Sequence, residues 1–574
     1  MSIGNQSSHV EQIIEQADAA ELWRHAAELA QYVRTSGSEE ELRAFQYVKE
    51  QLESFGLKTR LSFHKAWISI PGKAELIVGG RAYPVITHAM SPALARTELS
   101  LAVYEPSADP TKQSLAGKAV LVNGLAAWPI IERMERQGAS AVIFMNRSRY
   151  THEMITSGVW GNPSTSDRLY PSIPAFSVNE TDGASLLSEL HQFPEAVASL
   201  YGEVQSEWRD IPLLTAELTG AVEPEKFVLF SGHIDAWHYG AMDNGAANAV
   251  MLESARVLAR NNGQLRRTIR WAFWSGHSHG RYAGSALYAD AHWEELQEHG
   301  VLHINIDSVG AKGAVQLGAA NVMAETKQLS KQAIELGAGR RFGDHDFHGS
   351  PFGRAGDQSF WGTGLPSAFM GLSYQEDGWF GWWWHTTEDT LDKLDEQLLL
   401  RDCKVYIAAL HDAANAAVIP IDQRAAATLL AERLLEYETL AGERLSVQSL
   451  LAKANRLKLE IEHFYARHVQ LASANRELRQ VNRVIIQLSR ILVPALYIKG
   501  SLYEHDPAVQ QPLVPALSEI EELAAAEAGS DRFYRLQTGL LRKQNQLADL
   551  LNKGLLLLST FVSEEGERND TESI

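Results

Sequence analysis

The run SGHIDAWHYGAMDNGAANA, residues 231–249, holds His233 and Asp235 two positions apart and a further aspartate, Asp243, beyond a glycine-bearing turn. Residues two apart in an extended chain share a face, and the apolar residues before His233 (KFVLFSG) read as a strand that ends there. An imidazole and a carboxylate delivered at the carboxyl end of a strand suit a borderline divalent metal such as zinc, and an aspartate near the histidine can orient its ring. Taken singly, His233 is as well read as a buried histidine and Asp243 as a helix cap. Two more segments carry the same chemistry: LHINIDSVG places Asp307 after a short apolar strand, and GWWWHTTEDTLDKL places His385 after an aromatic run. Between the first run and these two lies WSGHSHGRYAGS, with His277, Ser278 and His279 in sequence.

These residues need a scaffold. From 216 to 420 long apolar runs such as FVLFSG and IRWAFWS alternate with helical stretches, the pattern of a sheet covered on both faces, so this span is expected to be an α/β core with a mixed, mostly parallel sheet sandwiched by helices. Residues 1–59 carry apolar positions at helical spacing, read as a pair of helices joining that core and stopping at Gly56. Residues 60–215 change to short β-rich runs, within which GKAVLVNGLAAWPIIERMERQGASAVIFMN reads as strand, helix, strand. After Pro420 the composition turns to Ala, Leu, Glu and Arg, and 421–574 is expected to be all-helical.

With the metal-binding segments in this order, the chain resembles the co-catalytic zinc exopeptidases, a family that includes bacterial zinc aminopeptidases and glutamate carboxypeptidase. The resemblance implies that His233, Asp243 and Asp307 hold a first metal, that Asp243 bridges to a second, that His385 binds the second, and that Asp235 supports the site. It also implies a Glu-Glu pair at 277 and 278, the first glutamate acting as general base and the second as a ligand. Here those positions are His277 and Ser278. A serine hydroxyl replaces a carboxylate poorly on zinc, whereas an imidazole still accepts a proton near neutral pH. The expectation is therefore His277 as the base, with His279 or His238 open as a nitrogen ligand for the second site. RAGDQSFW resembles the family segment around a buried aspartate and makes Asp357 a supporting or substrate-side residue, a turn cap being the other reading.

Residues 110–190 resemble a protease-associated domain. SRILVPALYIKGSLYEHDPAVQQPLVPALSEIEEL resembles the helical dimerisation domain of the glutamate carboxypeptidase and transferrin receptor branch, and a rough register places Glu504 and His505 where that branch sends a loop into the site. Trp384, with Trp379, Phe380, Trp382 and Trp383, is expected to wall a pocket. A net charge of −19 over 574 residues argues against nucleic acid and anionic membranes as partners. The start lacks the order of a secretory signal, no apolar run approaches a membrane span, and the single cysteine, Cys403, fits a reducing compartment. The whole reads as a cytoplasmic homodimer that hydrolyses a peptide or related amide with zinc or another divalent transition metal, one or two per chain. A non-catalytic receptor-like member and a one-metal acyl-transfer or cyclisation enzyme are the alternatives.

Overall fold

A computed structural model describes residues 3–105, 115–165, 167, 169–261, 265–317, 322–339, 354, 356–368, 373–469 and 475–572. Three helices lead in: α1 (Ile3–Ile14), α2 (Ala19–Leu29) and α3 (Glu39–Ser54). The expected pair is thus a trio. Side-chain caps separate them, Asp18 accepting from Ala20 N and Glu21 N and Ser38 from Glu41 N, while Gly56 turns the chain at φ 88°.

The next span runs β1 (Lys58–Val78), β2 (Arg81–Tyr83), β3 (Ile86–Thr87), β4 (Leu94–Val103), β5 (Ala119–Asn123), α4 (Trp128–Arg136), β6 (Ala141–Met145), β7 (Ala175–Val178), α5 (Glu180–Gln192) and β8 (Val197–Leu218). Strands β5 and β6 pair in parallel around α4, the strand–helix–strand unit read from the sequence. The long strands β1 and β8 form an antiparallel ribbon from Lys58↔Glu217 to Val78↔Ala198. That ribbon runs through positions 60 and 215, where the composition of the chain changes.

The site-bearing span has β9 (Glu223–His233), α6 (Ala247–Arg260), β10 (Arg267–Trp274), α7 (Ala283–Ala291), α8 (Trp293–His299), β11 (Gly300–Asn305), β12 (Gln316–Leu317), α9 (Lys327–Ala338), β13 (Ser367–Ala368), β14 (Ser373–Tyr374) and α10 (Glu396–Asn415). Parallel neighbours are β10–β9, β9–β11 and β11–β13, and β8 closes the other side antiparallel to β10. One sheet of 12 strands results, in the order β13-β11-β9-β10-β8-β4-β5-β6-β7-β3 with β1 and β2 off this path. It is the expected mixed α/β architecture. Phe227, Val228, Leu229 and Phe230 of β9 are all buried, as a strand covered on both faces requires. The chain ends in α11 (Gln423–Ala441), α12 (Gln448–Phe464), α13 (Asn475–Tyr497), α14 (Ile520–Ala525) and α15 (Asp531–Glu572). No helix among the described residues is long and apolar enough to cross a membrane.

Candidate active site

Strands β9, β10 and β11 end side by side, and the turns leaving them carry His233 and Asp243, His277, and Asp307 to one edge of the sheet. Crevices at the carboxyl ends of parallel strands are where such sheets bind ligands. His385 arrives from the aromatic run. Nε2 of His233 lies 3.3 Å from Asp243 Oδ1 and 3.7 Å from Asp307 Oδ2, while Nε2 of His385 lies 3.1 Å from Asp243 Oδ2. Asp243 therefore offers one oxygen to each imidazole.

The far nitrogens fix the tautomers. His233 Nδ1–H donates to the Asp235 carbonyl at 2.8 Å, and His385 Nδ1–H donates to the Glu153 carbonyl at 2.6 Å. In neutral rings each Nε2 then carries a lone pair aimed at a carboxylate oxygen, which is repulsive unless a cation lies between. His233 Nε2 and Asp243 Oδ1 are both buried without a hydrogen-bond partner. The donor set fits a divalent metal. Charge balance says the same: burial opposes a charge on His233, yet Asp235, Asp243 and Asp307 outweigh it and hold its pKa well above the ordinary value. Burial likewise works to raise Asp243, but His233 and His385 pull it well below the carboxylate range.

Among the described residues, the one group of three or more possible ligands whose atoms lie within 4.8 Å of one another is His233, His277 and Asp307. The rings of His233 and His277 stack at 3.7 Å between centroids and 11° between planes. Asp357, 1% exposed, lies with Oδ2 3.0 Å from His277 Nδ1 and accepts from Ser285 Oγ at 2.8 Å. Asp357 is thus the partner of His277. Asp235 sits behind the site, its carboxylate accepting from the backbone N–H of His277 and Ser278 and from Ser36 Oγ, so it shapes the turn that carries His277.

His279 is buried, with Nδ1 2.9 Å from Ser36 Oγ and its ring against Trp237. It stands outside the converging group, as does His238, whose Nε2 is 3.9 Å from Glu153 Oε1. Trp384 stacks on His385 at 3.4 Å, and its carbonyl meets His152 Nδ1. His505 pairs instead with Asp290 near the end of α7, at 3.1 Å. Its loop is set by Asp506, which accepts from Lys499 N, Gly500 N and Arg354 Nη2, and what this loop packs beside Tyr282 is Ala508. Tyr282 in turn lies edge-on to His277 at 4.9 Å. Non-glycine residues adopt left-handed φ in three of the site turns: Arg281 (51°) and Tyr282 (70°), Ser308 (48°), and His385 (59°). Such strain collects at functional sites.

Four contributors escaped the sequence reading. Asp389 accepts from Met242 N and Asp243 N at 2.9 Å each, fixing the turn that presents Asp243. Arg34 donates to the carbonyls of Ile234, Tyr239 and Gly240. Ser36 joins Asp235 to His279. Glu153 holds His385 by both backbone groups, and burial pushes its carboxyl up to about 8. Only Asp389 had a signal, as the aspartate of HTTED.

Residues 214–410 match the family model described as Peptidase family M28. "Aminopeptidase NAALADL1" of Rattus norvegicus is 33% identical over 117 residues, 20% of this chain and 15% of that protein. "Probable glutamate carboxypeptidase VP8" of Zea mays is 30% identical over 122 residues, 21% of this chain and 16% of that protein. The matched stretches thus span less than a fifth of these relatives' lengths. In three dimensions the chain is similar to a Peptidase M28 precursor from Shewanella amazonensis, with a TM-score of 0.59 and 21% identity over 73% of this chain and 98% of that one. The aminopeptidase from Aneurinibacillus sp. strain AM-1 gives 0.55 and 22% over 71% and 96%. The fold is that of these proteins, and the resemblance drawn from the motifs is borne out over residues 214–410.

Proposed function

We propose that the chain is a metal-dependent hydrolase that cleaves a peptide or a related amide bond, at a site holding zinc or another divalent transition metal. The observation that carries this reading is the pair of buried, unpartnered atoms His233 Nε2 and Asp243 Oδ1, facing each other 3.3 Å apart where two carboxylates and three imidazoles meet. A divalent ion bound there supplies Lewis acidity to a substrate carbonyl and acidifies a water. His233, Asp243 and Asp307 would hold it, with His385 on the other oxygen of Asp243. His277, tied to Asp357 through Nδ1, has only Nε2 left, and that nitrogen serves either as proton acceptor or as ligand. Trp384 and Trp237 flank His385 and give the site an aromatic wall for the substrate.

Similarity to proteins described as aminopeptidases and glutamate carboxypeptidases supports a peptide substrate. The test is hydrolysis of a panel of aminoacyl, peptidyl and acyl amides by protein with measured metal content, before and after chelation, beside Asp243→Ala. Turnover that needs metal and Asp243 supports the reading; a chain that binds metal and turns over none of the panel, or binds none, refutes it. A homodimer through the helical region and a cytoplasmic location belong to the same proposal. Exposed Leu435, Leu440, Leu459, Leu541 and Leu556 on α11, α12 and α15 support the first, and the single, buried Cys403 fits the second.

A further inference from the structure

We propose that His277 is a ligand of the metal and that the centre holds a single ion, on His233, His277 and Asp307, with Asp243 reaching it through the oxygen that faces His233 Nε2. The inference rests on the hydrolase reading only in requiring that a metal binds. It departs from a two-metal arrangement with a separate base at position 277.

Three observations carry it. The first is convergence. The ligand atoms of His233, His277 and Asp307 all lie within 4.8 Å of one another, close enough for one ion to draw them together.

The second is orientation. Asp357 takes the far nitrogen of His277, as the Asp235 and Glu153 carbonyls take the far nitrogens of His233 and His385. All three rings are therefore held in the way that presents Nε2 to a cation. Asp357 is itself fixed by Ser285 Oγ, so the ring has little freedom to swing between roles.

The third is what the His385 side lacks. There Asp243 Oδ2 and His385 Nε2 meet at 3.1 Å, but the residue after His277 is a serine with no carboxylate to offer, and Nδ1 of His279 is engaged by Ser36. Among the described residues no third ligand converges with that pair. Two donors make a weak site for a divalent ion that prefers four.

The experiment uses the full chain without a histidine tag, stripped by chelator and titrated with cobalt(II) alone. Metal per chain is measured by elemental analysis, and the cobalt visible spectrum reports the ligands. Wild type is expected to bind one equivalent. His277→Gln should bind at least tenfold more weakly with altered cobalt bands, Asp357→Asn should bind roughly 10–100-fold more weakly, as loss of an orienting partner does, and His385→Gln should still bind one. X-ray absorption of the cobalt-loaded wild type should count two or more imidazoles, a measurement that depends on no variant. An unchanged spectrum and affinity in His277→Gln overturns this inference and leaves the hydrolase reading intact. So do two equivalents in wild type that fall to one in His385→Gln. Absence of cobalt binding in the wild type overturns both.

Discussion

Replacing Arg34 should loosen the site from behind without touching a ligand. The side chain is fully buried, and its guanidinium donates to the carbonyls of Ile234 at 2.7 Å, Tyr239 at 2.8 Å and Gly240 at 2.9 Å, all in the turn between His233 and Asp243, and also to Leu29 and Tyr32. Burial lowers its pKa to about 10, so it remains a cation at neutral pH. Arg34→Met keeps an unbranched apolar stem and removes every donor, leaving the carbonyls in place. A buried acceptor left unpaired costs about 1–3 kcal/mol, and truncating one partner of a buried charged network costs about 3–5 kcal/mol. Because the lost bonds share one turn they are not additive, and a total of about 4 kcal/mol is expected, close to a thousandfold in an equilibrium constant. Urea unfolding followed by tryptophan fluorescence reads the part borne by the whole fold. Cobalt titration reads the part borne by the turn alone. Arg34→Lys, which keeps the charge but not the planar fork, should fall between. A wild-type urea midpoint together with wild-type metal affinity in Arg34→Met would show that the turn holds itself, and the reasoning would be wrong.

Glu325 is 1% exposed with neither carboxyl oxygen hydrogen-bonded, and burial raises its pKa from 4.5 to about 7. Its folded pKa lies above its unfolded one, so its contribution is fully present below pH 4.5 and is lost as pH rises through 7, a change of about 3 kcal/mol. Glu325→Gln should therefore gain about that much on the wild type between pH 4.5 and 8 in urea unfolding, and parallel profiles would count against it. Chelation should lower the unfolding temperature of the wild type and not that of Asp243→Ala, since metal at 100 times its Kd stabilises a fold by about 2.7 kcal/mol; equal shifts in both would remove Asp243 from the ligands. Trp384→Ala strips the ring stacked on His385 and should raise KM for substrates with an apolar side chain by about tenfold while kcat changes less. A fall in kcat alone would assign the ring to positioning His385.

Most of the converging residues were legible because they follow an apolar strand or aromatic run that the sequence displays: His233 after FVLFSG, Asp307 after LHINI, His385 after WWW. The supports were not, because they come from elsewhere in the chain. Arg34 and Ser36 lie in the turn after α2, about 200 residues before the carbonyls and carboxylate they hold, and no spacing marks them. Asp357 showed as an aspartate of unsettled purpose until its place on His277 Nδ1 was seen. The third leading helix had its own signs in Asp18 and Ser38, both cap residues, which helical periodicity alone overlooks. His505 went astray because a loop without periodicity takes its register from packing, here from Asp506.

The place of β8 in the sheet has an entropic consequence. The Glu153 carbonyl and the imidazole of His385 that it holds are 232 residues apart in sequence. Closing a free loop of that length would set a standing cost against every such contact. Within that stretch β8, which carries the β-rich span, pairs with β10 beside the site, and β10, β9, β11 and β13 pair in turn, so most of the loop is already closed inside the sheet. Glu153 therefore meets His385 as a neighbour already in place, and the imidazole stands aimed at Asp243 before any ligand arrives.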